Sequence, residues 1–369
     1  MATEVILAVA GGRKTQQIAE KVSALNASDK CLVLTFTLNG QQELQDRIKA
    51  TAGHMVTPEV AGWYSFLLNH IVRPYLPALF DGVKATGLHF VQSENEIPRW
   101  SRGSGWYLDA HGRVYSNRLG VLANKILAAS NNAPIRRLEG IYDHLLIDEI
   151  QDLAGNDLDI LEQLMRSRMQ VCMVGDVRQS VITTSRSDTK NRQYTSVQMV
   201  DWFREKQAAG LCTITDSVKT WRFNASIASF SDVIHDSALQ FPQTISLNDE
   251  ITGHDGVFLV NEGSLDSYMA KYSPTVLRYN AGRKSPEDAE VFTFKSAKGL
   301  TRDRVVILST QPIVKLLTNG TNLTSQSACD LYVATTRARS SVALVVDDAA
   351  KVKKALHGRF DGIVDHWSE

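Results

Sequence analysis

Continuous apolar runs of strand length alternate with stretches whose apolar residues recur at helical spacing. EVILAVA (residues 4–10) and CLVLTFT (31–37) are unbroken runs rather than alternating ones, the pattern of strands buried on both faces of a parallel sheet. Helical spacing follows each: Ile18, Val22 and Leu25 after the first, Leu44, Arg47 and Ile48 after the second. A helix carrying Phe66, Leu67 and Ile71 is expected to end before Pro74. Further on come an apolar strand reaching Ile147, a helix with Leu158, Leu161, Leu164 and Met165, and a strand QVCMV (170–174). The polar run 183–196 reads as a loop. A second set of strands is expected from residue 212: CTITD (212–216), GVFLV (256–260), TVLRY (275–279), EVFTF (290–294), RVVIL (304–308) and SVALVV (341–346). Strands alternating with helices in two blocks predict an α/β protein of two parallel-sheet domains, 1–211 and 212–369. Residues 85–140 break the periodicity. They are rich in Gly and Asn, carry Trp100, Trp106, Tyr107 and Tyr115 among arginines, and read as an insertion in the first domain.

Composition narrows the class. The 369 residues, 43% hydrophobic and 22% charged, suffice for one large or two medium cores without covalent staples. Forty basic and forty acidic residues cancel, so any nucleic-acid contact must come from a local patch. The four cysteines, Cys31, Cys172, Cys212 and Cys329, are scattered without C-x-x-C spacing, as in a reducing compartment. No apolar run approaches membrane-spanning length and no basic leader precedes the first strand. A soluble cytoplasmic protein, with no membrane partner, is expected.

The candidate chemistry sits at strand ends. LLIDEIQDLAG (145–155) is an apolar strand releasing Asp148 and Glu149, then Gln151 and Asp152. Acids at the carboxyl end of a buried strand are how α/β nucleotide hydrolases hold magnesium and polarise water. Many parallel strands end in an acid, so the string gains force from what precedes it. After the first strand come Gly11, Gly12, Arg13, Lys14 and Thr15, and a helix begins at once. Backbone N–H groups of such a turn, with a helix N-terminus, cradle phosphates. The lysine then reaches the β/γ-phosphates and the threonine hydroxyl helps hold Mg²⁺. The pattern G-x-x-x-x-G-K-[ST] asks for glycine at Ala8 and Arg13, and a bare Gly-Gly-Arg-Lys-Thr turn also serves as an ordinary basic surface turn.

The ordered motifs resemble the UvrD/Rep-like superfamily 1 helicases over most of the chain. AVAGGRKT (8–15) stands for the Walker A loop, TFTLNGQQELQDR (35–47) for T-F-T-N-x-A-A-x-E-M-x-x-R, and GWYS (62–65) for T-F-H-S. IDEIQD (147–152) is similar to the Walker B motif, VGDVRQS (174–180) to V-G-D-x-x-Q-S, and TWRFN (220–224) to N-Y-R-S. TFKSAKGLTRDRV (293–305) and LYVATTRAR (331–339) resemble the last two motifs.

The resemblance implies two RecA-like domains with ATP and Mg²⁺ bound in the cleft between them. Gly11, Gly12, Arg13, Lys14 and Thr15 would hold the phosphates, with Thr15 and Asp148 on the metal. Glu149 would activate water and Gln179 would sense the γ-phosphate. Arg222 and Arg337 would act as arginine fingers, and Trp221 would stack on the adenine. Single-stranded DNA would meet Thr35, Phe36, Trp63, Tyr64 and Lys295. The alternative for Phe36 is a core strand residue, and Trp63 and Tyr64 are equally readable as helix-start packing. After VGDVRQS the aromatics that usually stack the strand are replaced by Val181, Ile182, Thr183 and Thr184. Lys295 replaces a histidine. The interval between TWRF and TFKSAKG is too short for the large second-domain insertion of full-length members, so a minimal form is implied.

Two functions from different classes follow. One is an ATP-dependent single-stranded DNA translocase or helicase moving 3′→5′. The other is a nucleotide-gated DNA sensor or partner subunit with weak or no hydrolysis, favoured by Ala8 and Arg13. A protein partner, such as a nuclease or a repair or defence subunit, fits either.

Overall fold

The computed structural model describes residues 3–52, 57–91, 96–97, 102–181, 184, 189–282, 284–286 and 289–369. Trp100, Ile182, Thr183 and part of the run 183–196 lie outside the described residues. The strands are β1 (Thr3–Ala8), β2 (Cys31–Thr35), β3 (Glu59–Gly62), β4 (Gly87–His89), β5 (Arg113–Tyr115), β6 (His144–Ile147), β7 (Gln170–Gly175) and β8 (Cys212–Ser217). They continue with β9 (Lys219–Thr220), β10 (Ile245–Ser246), β11 (Gly256–Asn261), β12 (Thr275–Arg278), β13 (Val291–Thr293), β14 (Arg302–Leu308), β15 (Ala338–Val346) and β16 (Val364–His366). Two six-stranded sheets result, ordered β3-β2-β6-β7-β1-β8 and β13-β12-β14-β15-β11-β16. With helices packed against them, this is the expected α/β architecture, consistent with two RecA-like domains.

Burial explains the unbroken apolar runs. In the second sheet Val257, Leu259, Val305, Ile307, Val342 and Leu344 enter one core, while Val260, Val306, Leu308, Ala343 and Val345 enter a core on the opposite face. Successive side chains point to opposite faces, so a strand covered on both sides must be apolar throughout. All five residues of β2 are buried for the same reason. In the first sheet Ile6, Val33, Leu146 and Val174 pack against Ile18 and Val22 of helix α1 (Lys14–Ser23) and Leu44 and Ile48 of helix α2 (Leu38–Ala52). Each such side chain, fully buried, contributes roughly 1.5–3 kcal/mol.

The chain divides into two compact units. The first comprises residues 1–7, 14–177 and 183–215, the second residues 8–13, 178–182 and 216–369. The strand expected to open the second set, 212–216, is instead β8, at the edge of the first sheet beside β1. Periodicity identifies a strand but not its neighbour, and here backbone pairing assigned it. The helix expected to stop before Pro74 continues: a wide turn over Leu67–Val72 leads into Arg73–Tyr75, which holds Pro74 in its first turn. The widened turn just before the proline is where a continuous helical run accommodates it. Within 85–140, β4 and β5 form a two-stranded parallel ribbon. The helix Leu119–Ala129 that follows buries Leu119, Leu122, Ala123, Ile126 and Leu127. Tyr107 and Tyr115 are buried, and Trp106 stacks under the Arg118 guanidinium at 3.9 Å, so these aromatics are packing residues.

Candidate functional site

In the first unit the acids are placed by β6. The N–H of Asp148 donates to the carbonyl of Leu34 on β2 at 2.8 Å, prolonging the β2–β6 pairing one residue past the strand. Glu149 then takes a left-handed conformation (φ 54°) and the chain turns through Ile150–Asp152. The turn leaves the Asp148 carboxylate 5% exposed, accepting the Glu149 N–H at 2.9 Å. Burial and the neighbouring Glu149 push its carboxyl above the usual carboxylate range, while Lys14 pulls it back. Lys14 and Thr15 open α1 in the same unit, both half-buried.

Gln151 organises this corner, a role the sequence reading passed over. Its amide donates to the Glu149 carboxylate, and its Oε1 accepts the Asp176 N–H at 2.9 Å. A Cβ on Gly175 would stand 2.5 Å from that Oε1, so glycine there makes room for the amide. The glutamine between two acids in DEIQD was the available signal.

The described residues contain no group of three or more His, Cys, Asp or Glu side chains able to hold a metal. A buried carboxylate carrying a raised proton affinity still favours a cation. Asp148 and Thr15 suit a magnesium ion that keeps most of its ligands as water and nucleotide phosphate.

In the second unit the glycine turn lies against the segment 220–222. Gly11 has φ +71°, and a Cβ there would stand 2.6 Å from the Arg222 Cβ and from Thr220 Oγ1. Only glycine allows both the conformation and the approach. The Gly12 N–H closes the turn on the Val9 carbonyl at 3.0 Å, and the Gly11 carbonyl accepts the Trp221 N–H at 3.2 Å. Arg13 also adopts φ 54°, the conformation for which the motif ordinarily carries glycine. Its side chain is exposed, and its guanidinium lies over the Trp221 ring at 4.6 Å.

The same unit gathers Gln179, Arg222 and Arg337. Arg337 is 2% exposed; its Nε donates to the Val333 carbonyl at 2.9 Å and its Nη1 to the Leu300 carbonyl at 3.2 Å. Its Nη2 reaches Gln179 Oε1 at 3.0 Å. Arg222 donates to the Thr336 carbonyl at 3.2 Å, immediately before Arg337. Main-chain carbonyls thus fix both guanidinium groups, and Arg337 brings the Gln179 amide to the same place.

The expected strand contacts divide. Thr35 (2% exposed) and Trp63 (1%) are buried, Trp63 packing on Phe66 at 5.5 Å as the helix-start packing alternative expects. β3 is an edge strand, and the turn after it points Trp63 inward and Tyr64 outward. Phe36 and Tyr64 are half-buried, with ring centroids 5.7 Å apart. Lys295, in the second unit, is exposed. Among the described residues no helix is long and apolar enough to cross a membrane.

Comparison with known proteins adds a family. Residues 128–346 match the family described as the viral superfamily 1 RNA helicase core domain, and residues 2–185 one described as an AAA domain. No curated protein matches the chain. Among solved structures it is similar to the arterivirus nonstructural protein 10 helicase, at 15% identity and a TM-score of 0.49 over 96% of this chain and 62% of that one. The same arterivirus protein in complex with DNA gives 13% and 0.45, over 95% and 63%. The chain therefore spans 62–63% of the length of these structures.

Proposed function

Because the chain belongs to the viral superfamily 1 RNA helicase core family, we propose that it is an ATP-driven translocase on single-stranded nucleic acid. The finer form of this reading, UvrD/Rep-like movement 3′→5′ on DNA, rests on the order of the motifs. The observation that supports the proposal is the buried Asp148 beside Glu149 and within the field of Lys14, with Asp148 hydrogen-bonded to β2 two residues before Phe36.

Each side chain has a physical task. Backbone N–H groups of Gly11–Thr15 and the start of α1 hold the phosphates, and Lys14 places charge on them. Thr15 and Asp148 hold Mg²⁺, which neutralises phosphate charge when bound. Glu149, fixed by the Gln151 amide, orients and deprotonates the attacking water. Gln179, Arg222 and Arg337 stabilise the charge that develops on the transferred phosphoryl group. Trp221 offers a ring to the base. Displacement of Asp148 is transmitted to β2, and so to the aromatic rings at its end. The four free buried cysteines agree with work in a reducing, cytoplasmic setting. A protein partner remains compatible with this reading.

A second reading has its own observation: Arg13 in the left-handed region beside Trp221 favours a nucleotide-gated sensor with weak turnover. Steady-state ATP hydrolysis with and without single-stranded DNA or RNA separates the two. Expected is strand-stimulated turnover, abolished in Lys14→Ala. Absent turnover that appears in Arg13→Gly supports the sensor, and strand-tracking on end-labelled oligonucleotides tests the polarity.

A further inference from the structure

The carboxyl ends of β2 and β3 are paired in register, Thr35 opposite Gly62, so Phe36 and the pair Trp63–Tyr64 leave the sheet side by side. Trp63 turns into the core and Tyr64 does not. The row of rings extends further than the sequence motifs. Tyr64 meets Phe90, just past β4, with centroids 5.9 Å apart and planes at 82°. Phe36, Tyr64 and Phe90 thus form a continuous aromatic row within the first unit.

Exposure rises along it. Phe36 and Tyr64 are half-buried, while Phe90 is 59% exposed. Leu38, two residues beyond Phe36 and first in α2, is 81% exposed. A lone exposed apolar side chain needs no explanation. Phe90 is different, because it ends a row whose inner members are already anchored.

The middle ring is tied to the catalytic corner. The Tyr64 hydroxyl donates to the Thr184 carbonyl at 3.0 Å. The Thr184 N–H in turn donates to the Asp152 carbonyl at 3.0 Å, and its Oγ1 accepts the Ala154 N–H at 3.1 Å. The phenol is therefore fixed to the segment that follows Asp148 and Glu149. At the other ring, Phe36 is two residues from the Leu34 carbonyl that holds the Asp148 N–H. Because the rings meet at 53° and 82°, the row does not offer parallel faces; it braces Phe90 from behind and leaves that ring open to solvent, which suits a flat apolar group carried on a chain.

We infer that Phe90, braced edge-on by Tyr64 and through it by Phe36, is an aromatic ring on which a base of a single nucleic-acid strand stacks. The inference rests on the translocase reading and adds a binding residue from outside the motifs that support it. Stacking on aromatic rings tolerates any base and both sugars, so the ring accepts DNA and RNA alike.

The test is equilibrium binding of fluorescein-labelled oligothymidylate, oligouridylate and an abasic deoxyribose-phosphate strand. Phe90→Leu keeps an apolar side chain but removes the ring, and is expected to weaken both base-bearing strands about 5- to 20-fold. Phe90→Trp is expected to restore them. The abasic strand should bind Phe90→Leu and wild type equally, since it has nothing to stack. Ile251→Ala, which trims an 89% exposed side chain of the other unit, serves as the control and should change nothing. Equal loss on the abasic strand, or no loss on any strand, overturns the stacking role and leaves Phe90 to a protein contact. Wild type that binds no strand at all refutes the translocase reading itself, an outcome distinct from failure of the Phe90 variant.

Discussion

In the first sheet β6 releases Asp148 and Glu149; in the second, β15 releases Asp347 and Asp348 after an equally apolar run. The strings LLIDE and LVVDD are nearly interchangeable, yet the carboxylates behave differently. Asp348 is exposed and caps the helix Ala349–Lys354, its Oδ1 accepting the Lys351 N–H at 2.9 Å. Asp148 is buried, precedes only the short 3₁₀ turn Ile150–Asp152, and lies beside Glu149 and within the field of Lys14. An acid at a strand end is generic. What sets Asp148 apart is burial beside a second carboxylate, which raises its proton affinity, with a lysine charge close enough to oppose that rise. The two sheets also use opposite ends. The first works from the carboxyl end of β6, whereas the second offers Arg337 from the amino end of β15, held by the Leu300 carbonyl near the start of β14.

The comparison can be broken most severely at the arginines. Arg337→Ala or Arg222→Ala is expected to lower turnover by about 10³-fold or more while nucleotide affinity changes little, since the proposed role of both is on transition-state charge. Single-turnover hydrolysis beside nucleotide binding checks this, and normal hydrolysis in both variants would remove the second unit from the chemistry. Next, Glu149→Gln is expected to reduce turnover by about 10²–10⁴-fold with ATP still bound. The matched change Asp347→Asn should leave the rate alone. If the two carboxylates prove equally important, the contrast between the sheets is wrong. The smallest effect belongs to Asp348→Ala, which should cost about 1 kcal/mol of stability through the lost cap. A lower melting temperature with unaltered kcat confirms a purely structural acid.

Much of the scaffold was legible because its signal is local. Strands covered on both faces write themselves as unbroken apolar runs, which placed β1, β2, β6 and β7 to within two residues at each end. The loop and the acid pair were legible as well, since glycine, lysine and carboxylate carry their chemistry wherever they stand. Other features were not. Trp63 and Tyr64 are adjacent and both aromatic, but the turn after an edge strand put one in the core and the other in the aromatic row. Phe90 belongs to that row through a contact across the fold that no motif records. Gln151 looked like a spacer between acids until its amide was seen to hold Glu149 and the Asp176 N–H.

The sequence by itself determined which segments are strands and helices, their order, and which functional groups stand at their ends. These depend on residues within a few positions of one another, through side-chain periodicity and backbone preference. Only the tertiary structure decided that residues 212–217 join the first sheet, that Asp148 is buried while Asp348 caps, and that Arg337 meets Gln179, 158 positions away. Burial and hydrogen-bond partnership are set by groups brought together from distant parts of the chain, and the free energy of a charge depends on those neighbours more than on its own.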